Sequence, residues 1–314
     1  MAKPIDPRLF VDVQEELGLP SPALVEKDYY VVQALSALSR FTPGSSSRKA
    51  GEPYLVFGGG TALCRAHRII MRMSEDIDLK IVWVEKPTIG QRKAFRGQVS
   101  EALLAAGFKF DPEDRQQVEV LDGKRSFKYH LPYEQQMPAV AALRPEIQVE
   151  LSSFPVYLPT VDLPISSFVA QARGDAPEIE KFPCAAIEET AAEKFVALTR
   201  RIGEERALKL NTDHTLQRHV YDLNRIHQRT PVDEAAKLAR EIMLEDAKTR
   251  AGKFEAYGED PLAETLSAIE ALSDGAEYPP LFDAFQASMV YGDAIQFEAG
   301  IAILHKYRDH LQEL

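Results

Sequence analysis

The first half of the chain contains short segments whose hydrophobic patterns are typical of β-strands. In the last three of them apolar and polar residues alternate, as expected of strands with one buried face. Asp122 and Gly123 lie between two of these alternating runs, and Asp-Gly in that position is a strong signal for a hairpin turn. The predicted strands occupy residues 54–57, 74–81, 116–121, 126–131 and 146–152.

Helical periodicity occupies most of the remaining chain. In the first half it covers residues 21–41, which form an amphipathic pattern, a short stretch at about residues 61–67, and residues 90–106. Gly107 fits the C′ position after the last of these helices. From about residue 187 onward the pattern is helical throughout.

The two patterns divide the chain into two parts. Prolines at five positions between residues 155 and 183 mark the stretch that joins them as a linker-like crossing. We therefore predict an α+β protein with a short mixed sheet in residues 1–165 and a helical domain in residues 166–314. A chain of 314 residues is long enough for two domains with buried cores.

Two acidic residues lie on one predicted strand. Side chains two apart on a strand point the same way, so Ser74, Asp76 and Asp78 share a face opposite Ile77 and Leu79. Adjacent carboxylates repel each other unless a divalent cation neutralises them. Mg²⁺ prefers a few carboxylates together with phosphate oxygens, which is the chemistry of nucleotidyl transfer. The alternative interpretation is a pair of solvated acids at a strand end.

Three glycines at residues 58–60, followed by Thr61, precede this acidic strand. Glycines let the backbone approach phosphates closely, and the amides at the start of a helix favour anions. Neither the glycines nor the paired acids alone would be specific evidence for a functional site. Their order, with a strand, glycines, a short helix and then the acidic strand, favours a functional site.

Composition and charge narrow the possible functions. Of the residues, 45% are hydrophobic and 27% charged, and no apolar run is long enough to span a membrane, so we expect a cytoplasmic protein without membrane contact. Cys64 and Cys184 are too few for a disulfide framework or a zinc site, which fits a reducing compartment.

The formal net charge of −11 disfavours a general nucleic-acid-binding surface. Any RNA contact must therefore come from local groups of basic residues. The alternative is that these groups are ordinary solvent-exposed surfaces. One candidate group lies on the predicted hairpin and one on the later helices: Arg115, Lys124, Arg125 and Lys128, and then Lys194, Arg200, Arg201, Arg206 and Lys209.

Four segments together resemble a known family. They are Gly59-Gly60-Thr61 with Arg72-x-Ser74-x-Asp76-x-Asp78, Glu26-Lys27-Asp28-Tyr29, Glu189-x-x-Ala-x-Lys194, and Arg218-x-x-x-Asp222-Leu223. These motifs resemble those of the AbiEii/AbiGii-type nucleotidyltransferase toxins, which include MenT-like toxins and belong to the polymerase-β-like superfamily. The similarity runs from about residue 22 to residue 227. His219 departs from the family, which often has Asp at that position.

The resemblance implies roles for individual residues. Asp76 and Asp78 would hold Mg²⁺ or Mn²⁺ and, with Lys194 and Asp222, would be catalytic. The nucleotide would be bound by Gly59, Gly60, Thr61, Arg72 and Ser74. Lys27 and Asp28 have no mechanistic role assigned and are also compatible with an ordinary pair on an amphipathic helix.

A third metal ligand is predicted on another strand. Glu146, Gln148, Glu150 and Ser152 share one face of the strand at residues 146–152. By its position in Gln-Val-Glu-Leu, Glu150 matches the third acid that the superfamily carries on a comparable strand. The alternative is a solvent-facing strand acid.

Lys194 lies within the apolar stripe of its helix. At 100° per residue, Ile187, Ala191, Phe195 and Leu198 form that stripe. A lysine there must extend its head to solvent or meet an anion, and in a nucleotide site the anion would be the triphosphate. We therefore expect removal of this cation to leave stability unchanged or raised. For Asp222, periodicity predicts the polar side of its helix and a surface ion pair with Arg218.

The resemblance implies a toxin that transfers NMP from NTP to an RNA acceptor, the 3′ end of tRNA, and that is counteracted by a cognate antitoxin. Two alternatives remain open at this point. One is a nucleotidyltransferase acting on a small molecule or a protein hydroxyl, and the other is a non-catalytic nucleotide-binding module.

Overall fold

The computed structural model describes residues 6–121, 125–141, 143–250 and 252–314. The chain forms two compact units. The first contains the residues up to Arg68 together with Arg72–Ala186, and the second contains Ile69–Met71 and Ile187–Leu314. The first unit thus includes residues 166–186, which the predicted division at residue 165 assigns to the helical domain.

The first unit is a seven-stranded mixed sheet with helices. Its strands are β1 (Tyr54–Gly58), β2 (Asp76–Val82), β3 (Val118–Leu121), β4 (Ser126–Pro132), β5 (Glu146–Ser152), β6 (Val161–Ile165) and β7 (Ile179–Cys184). Its helices are α1 (Pro7–Leu17), α2 (Pro22–Leu38), α3 (Gly59–Arg65), α4 (Ile89–Ala105) and α5 (Phe168–Arg173). The strand order is β3-β4-β5-β2-β1-β7-β6. The α+β prediction is confirmed.

The acidic strand β2 lies in the middle of the sheet. It pairs antiparallel with β1, where Gly58 faces Asp78, and parallel with β5, where Asp78 faces Glu150. Along β5 buried and half-buried residues alternate, as predicted, and Ile77, Leu79 and Ile81 of β2 are buried in the core. The acids on the other face are therefore held in register by a hydrophobic core beneath them.

Several predicted elements are confirmed, and their ends have identifiable causes. The hairpin strands β3 and β4 pair antiparallel, while the predicted turn residues Asp122 and Gly123 lie outside the described residues. Helix α4 begins with a capping box at Thr88 and Gln91, which satisfies amides of its first turn. Gly107, with φ +100°, follows the end of α4 as predicted.

The predicted linker-like crossing is wrong. The proline-marked stretch contains β6, α5 and β7, and these strands form one edge of the sheet. Pro164 lies in the edge strand β6, where a missing N–H costs no sheet hydrogen bond on the open side. The proline-marked stretch therefore belongs to the sheet, and Pro164 lies in its edge strand.

The second unit consists of helices, as predicted for the chain after residue 187. They are α6 (Ile187–Leu208), α7 (Gln217–Ile226), α8 (Val232–Arg250), α9 (Glu255–Glu259), α10 (Pro261–Asp274), α11 (Tyr278–Met289) and α12 (Phe297–Glu313). Among the described helices, none combines the length and apolar composition that a membrane crossing requires.

The segment Ile69–Met71 belongs to the second unit although it lies between α3 and β2 in sequence. The carbonyl oxygen of Met71 accepts hydrogen bonds from the amides of Tyr291 (3.0 Å) and Gly292 (3.2 Å). A Cβ atom on Gly292 would lie 2.4 Å from the Cβ of Met71. The turn after α11 is thus packed against Met71, the residue that directly precedes Arg72.

Candidate functional site

The glycines of the first motif bring the backbone against the acidic strand. Gly58 ends β1 and Gly59 begins α3, so the strand enters the helix without a separate glycine turn. Gly59 has φ +69°, and a Cβ atom there would lie 1.9 Å from Oδ2 of Asp78. A Cβ on Gly60 would lie 2.7 Å from both Nη2 of Arg72 and Oγ of Ser74. At Gly59 both the positive φ and the close approach require glycine.

Hydrogen bonds of the buried residues Thr61 and Arg72 connect the glycines of this motif with the start of the acidic strand. The Thr61 hydroxyl donates to the carbonyl oxygen of Asp76 and lies 3.0 Å from the Ser74 hydroxyl. Arg72 is buried, and its Nη1 donates to the carbonyl oxygen of Met73 at 2.8 Å. The predicted residues Gly59, Gly60, Thr61, Arg72, Ser74, Asp76 and Asp78 therefore form one cluster.

Arg144 is a residue of this cluster that the sequence analysis missed. It precedes β5, and its Nη1 donates to Oδ1 of Asp76 and to Oε1 of Gln148. No motif marks it, because its position depends on how the segment before β5 folds back toward β2. Asp76 therefore has a cationic partner in Arg144, while Arg72 lies beside Gly60.

The predicted third metal ligand is adjacent to Asp78 but has another partner. Glu150 lies opposite Asp78 in the β2–β5 pairing and forms an ion pair with Lys128 of β4 at 3.2 Å. Across the described ranges, no group of three His, Cys, Asp or Glu side chains is arranged to hold a metal ion. Asp76 and Asp78, on one face beside the close-packed Gly59, suit a magnesium ion that completes its shell with phosphate and water oxygens.

The Glu-Lys-Asp segment of α2 is buried, so the prediction of an amphipathic helix does not hold at these positions. The Glu26 carboxylate accepts the amides of Gln136 (2.7 Å) and Met137 (3.2 Å). Burial raises the pKa of Glu26, and the two amide hydrogen bonds oppose this rise. Glu26 thereby fixes the start of the segment that leads to Arg144.

Lys27 ties that segment to the residue before Asp76. Its ammonium donates to the carbonyl oxygens of Arg144 (2.8 Å) and Glu146 and lies 3.0 Å from Oε2 of Glu75. Burial lowers the pKa of Lys27, while the Glu75 carboxylate opposes that shift. This lysine therefore connects α2 with β2 and β5 through three contacts.

Asp28 connects α2 with two further elements. Its Oδ2 accepts the amide of Phe168 at 2.6 Å, at the start of α5, and its Oδ1 lies 3.1 Å from Nε of Arg65 at the end of α3. Burial raises the pKa of Asp28 from 3.8 to about 6, and the Arg65 guanidinium limits the rise. Glu26, Lys27 and Asp28 thus connect α2 with the segments that surround the cluster.

The raised pKa of Asp28 gives a pH-dependent stability. Between pH 6 and pH 3.8 the folded protein holds a proton on Asp28 that the unfolded chain has lost, so this group stabilises the fold as pH falls through about 6. In denaturant titrations from pH 7 to pH 4, wild type should gain about 2 kcal/mol relative to Asp28→Asn. A pH-independent difference between the two proteins would contradict the assignment.

Lys194 and Asp222 form a buried ion pair within the second unit. Nζ of Lys194 lies 2.8 Å from Oδ2 of Asp222, whose side chain has no solvent exposure. Lys194 therefore meets an anion, as its place in the apolar stripe requires, and that anion is a protein carboxylate. The predicted position of Asp222 on the polar, exposed side of its helix is wrong, because α7 is buried on nearly all sides.

Four residues of the predicted basic groups, among them Lys194, form ion pairs with carboxylates. Arg200 contacts Glu204 (3.1 Å) and Asp246 (2.9 Å), and Arg201 pairs with Asp213. On the hairpin, Lys128 pairs with Glu150, and Lys124 lies outside the described residues. These ion pairs reduce the charge that either group presents to an RNA backbone.

The mixed sheet sets two aspartates beside close-packed glycines, an arrangement that is compatible with a nucleotidyltransferase. The chain belongs to the AbiEii toxin family, because residues 45–303 match the family described as nucleotidyl transferase AbiEii toxin, type IV TA system. This match continues beyond residue 227, where the recognised motifs end, and it begins after the Glu-Lys-Asp segment. The family match therefore includes α8 to α11 and the first residues of α12.

A solved structure has a similar fold. The chain is similar to MenT4, a nucleotidyltransferase toxin from Mycobacterium tuberculosis H37Rv, with a TM-score of 0.58. The alignment covers 97% of this chain and 90% of that chain at 19% sequence identity. No curated protein sequence matches the chain significantly.

Proposed function

We propose that the protein transfers a nucleoside monophosphate from an NTP to an acceptor hydroxyl on RNA, at the 3′ end of tRNA. The acceptor oxygen attacks the α-phosphorus in line, the bond from that phosphorus to the bridging oxygen breaks, and pyrophosphate leaves. The observation that carries the transfer step is the contact of Gly59 with Asp78, which places backbone beside a carboxylate on the face shared with Asp76. The RNA acceptor rests on the resemblance to the toxin family.

Asp76 and Asp78 are the proposed ligands of Mg²⁺ or Mn²⁺, with Glu150 as a further ligand if it releases Lys128. The bound ion would neutralise phosphate charge and lower the pKa of the acceptor hydroxyl. The residues of the chain bind and orient the nucleotide. We assign phosphate contacts to the backbone at Gly59 and Gly60 and to the Ser74 hydroxyl.

Thr61 and Arg72 support this site from inside the protein. Because the Thr61 hydroxyl is engaged with Asp76 and Ser74, its proposed role is to position both. Arg72 lies beneath Gly60 and offsets the charge of the acids and phosphates from there. Lys194 and Asp222 are proposed to act as a pair, in which the carboxylate orients the ammonium toward a phosphate.

The proposed biological outcome is growth arrest, reversed by a cognate antitoxin. The family description, a toxin of a type IV toxin–antitoxin system, supports it. Expression of wild type should arrest growth, and expression of a variant without transfer activity should not.

One experiment tests both the reaction and the acceptor. The protein is incubated with each α-labelled NTP, Mg²⁺ and total RNA, and Asp78→Asn serves as the control. We expect label from one preferred NTP in RNA of tRNA size. Label only in a small molecule or in protein would replace RNA as the acceptor, and no label with any NTP would indicate a non-catalytic module.

The second candidate is transfer to a small molecule or a protein hydroxyl. It is favoured by the net charge of −11 and by the ion pairs that engage Arg200 and Arg201. RNA binding measured against salt separates the two. An RNA-dependent enzyme should lose affinity with a log–log slope of roughly −0.7 per neutralised phosphate, and a small-molecule enzyme should show no such binding.

Gly59→Ala tests the close approach of backbone and carboxylate. The new Cβ would force Asp78 to move, and a displacement of about 1 Å can cost about a hundredfold in rate. Gly174→Ala is the matched control, because Gly174 has φ +64° and nothing within 4 Å of an added Cβ. Both variants bear a similar backbone strain, so equal transfer rates would contradict the proposed geometry.

A further inference from the structure

Arg144 has a fixed backbone beside the acidic strand. Its amide donates to Oε2 of Glu75 at 3.0 Å, and its carbonyl oxygen accepts from Nζ of Lys27 at 2.8 Å. Lys27 is fully buried and also contacts Glu75, the residue next to Asp76. Both backbone groups of Arg144 are thus anchored by one buried ion pair.

The side chain of Arg144 is far more accessible than its anchors. The side chain is 42% exposed, and Nη1 contacts Asp76, itself 22% exposed, and Gln148. Asp76 and Gln148 are register neighbours on β2 and β5, so the guanidinium lies on the polar face of the sheet. This is the face on which the proposed metal ligands lie.

An arginine at this position competes with a divalent cation. Both neutralise the Asp76 carboxylate, and two cations close to one carboxylate repel each other. An accessible ion pair is screened by solvent and contributes about 0.2–1 kcal/mol, so a strong metal ligand set can displace it. A displaced guanidinium then suits phosphate oxygens, which it binds in a planar, bidentate manner.

We propose that Arg144 neutralises Asp76 in the nucleotide-free protein and turns to the phosphates of the nucleotide when a divalent cation takes its place. Arg144 would then be a nucleotide-binding residue that also sets the order of loading. This inference rests on the proposed function in one respect, the assignment of Asp76 as a metal ligand.

Binding measurements without turnover test this role. Mn²⁺ affinity is measured by electron paramagnetic resonance in the absence of nucleotide. Arg144→Gln should bind Mn²⁺ about two- to fivefold more tightly than wild type, the effect of removing a solvent-screened competitor. With Mn²⁺ saturating, the same variant should bind a non-hydrolysable NTP analogue about tenfold more weakly, because a charge-assisted contact is lost.

Two further variants test whether the effects on Mn²⁺ and analogue binding come from the guanidinium of Arg144. Arg144→Lys keeps the charge and loses the planar fork, so it should restore the wild-type Mn²⁺ affinity and remain weak for the analogue. Arg173→Gln, which removes the exposed partner of Asp175, should change neither affinity. Circular dichroism spectra of all variants verify that the fold is retained.

The outcomes separate this inference from the proposed function. If wild type binds Mn²⁺, Asp76→Asn abolishes that binding, and Arg144→Gln changes neither affinity, the role of Arg144 is overturned while the metal site stands. If wild type and Asp76→Asn both fail to bind Mn²⁺ with or without the analogue, the proposed metal site fails and the inference fails with it.

Discussion

Asp78→Asn is expected to abolish nucleotide transfer and, with it, the growth arrest caused by the protein. Asparagine keeps the size of the side chain beside Gly59 but removes the negative charge. A metal ion supplies several kcal/mol of charge stabilisation to a transition state, and about 4 kcal/mol corresponds to about a thousandfold in rate. Incorporation of α-labelled NMP into RNA measures the loss.

The fold should be unaffected by this change. Removing one of two like charges on β2 relieves repulsion, so the melting temperature should be unchanged or slightly raised. Asp162→Asn is the matched control, since Asp162 is an exposed strand acid that pairs with Lys181 at 2.9 Å. A folded Asp78→Asn variant with wild-type transfer would exclude Asp78 as a metal ligand.

The sheet was predictable wherever one strand face is buried and the other is not. In β5 the alternation of Ile147, Val149 and Leu151 with polar residues gives the strand and its orientation directly. The strands β6 and β7 were not predicted, because each contains a proline that suppresses the strand pattern. Of the two, only β6 is an edge strand, a position that tolerates proline. The local hydrophobic pattern does not distinguish an edge strand from a linker between two domains.

Charges within helices were the main source of error. Periodicity places a charged residue on the solvent-exposed face of a helix. This rule fails where the helix is buried on all sides. Helix α2 buries Glu26, Lys27 and Asp28 against loops and helix ends, and α7 buries Asp222 against Lys194. These partners come from distant parts of the sequence, so no local rule identifies them. The resemblance to a family pointed to the same residues without indicating their contacts.

The clustering of the site was largely predictable, since glycines, acids and the strand between them are close in sequence. Arg144 was not, because it is brought to Asp76 by the anchors Glu75 and Lys27. Its identification required the three-dimensional contact.

Lys194→Ala is expected to destabilise the protein, contrary to the expectation from the sequence alone. The change removes the ammonium 2.8 Å from a fully buried carboxylate, Asp222. Loss of one partner of a buried pair costs about 3–5 kcal/mol, which corresponds to a fall in melting temperature of roughly 10 °C. Lys248→Ala is the control, because Lys248 pairs with Glu245 at 2.7 Å on the surface and such a pair contributes at most about 1 kcal/mol.

A double variant separates stability from catalysis at this pair. In Lys194→Met with Asp222→Leu both charges are replaced by apolar side chains of similar volume, a change that is often neutral or stabilising. If Lys194 contacts a phosphate, the double variant should regain the wild-type melting temperature and remain inactive in NMP transfer. Recovery of both stability and transfer would show that the pair is structural, and Asp222 and Lys194 would then leave the set of catalytic residues.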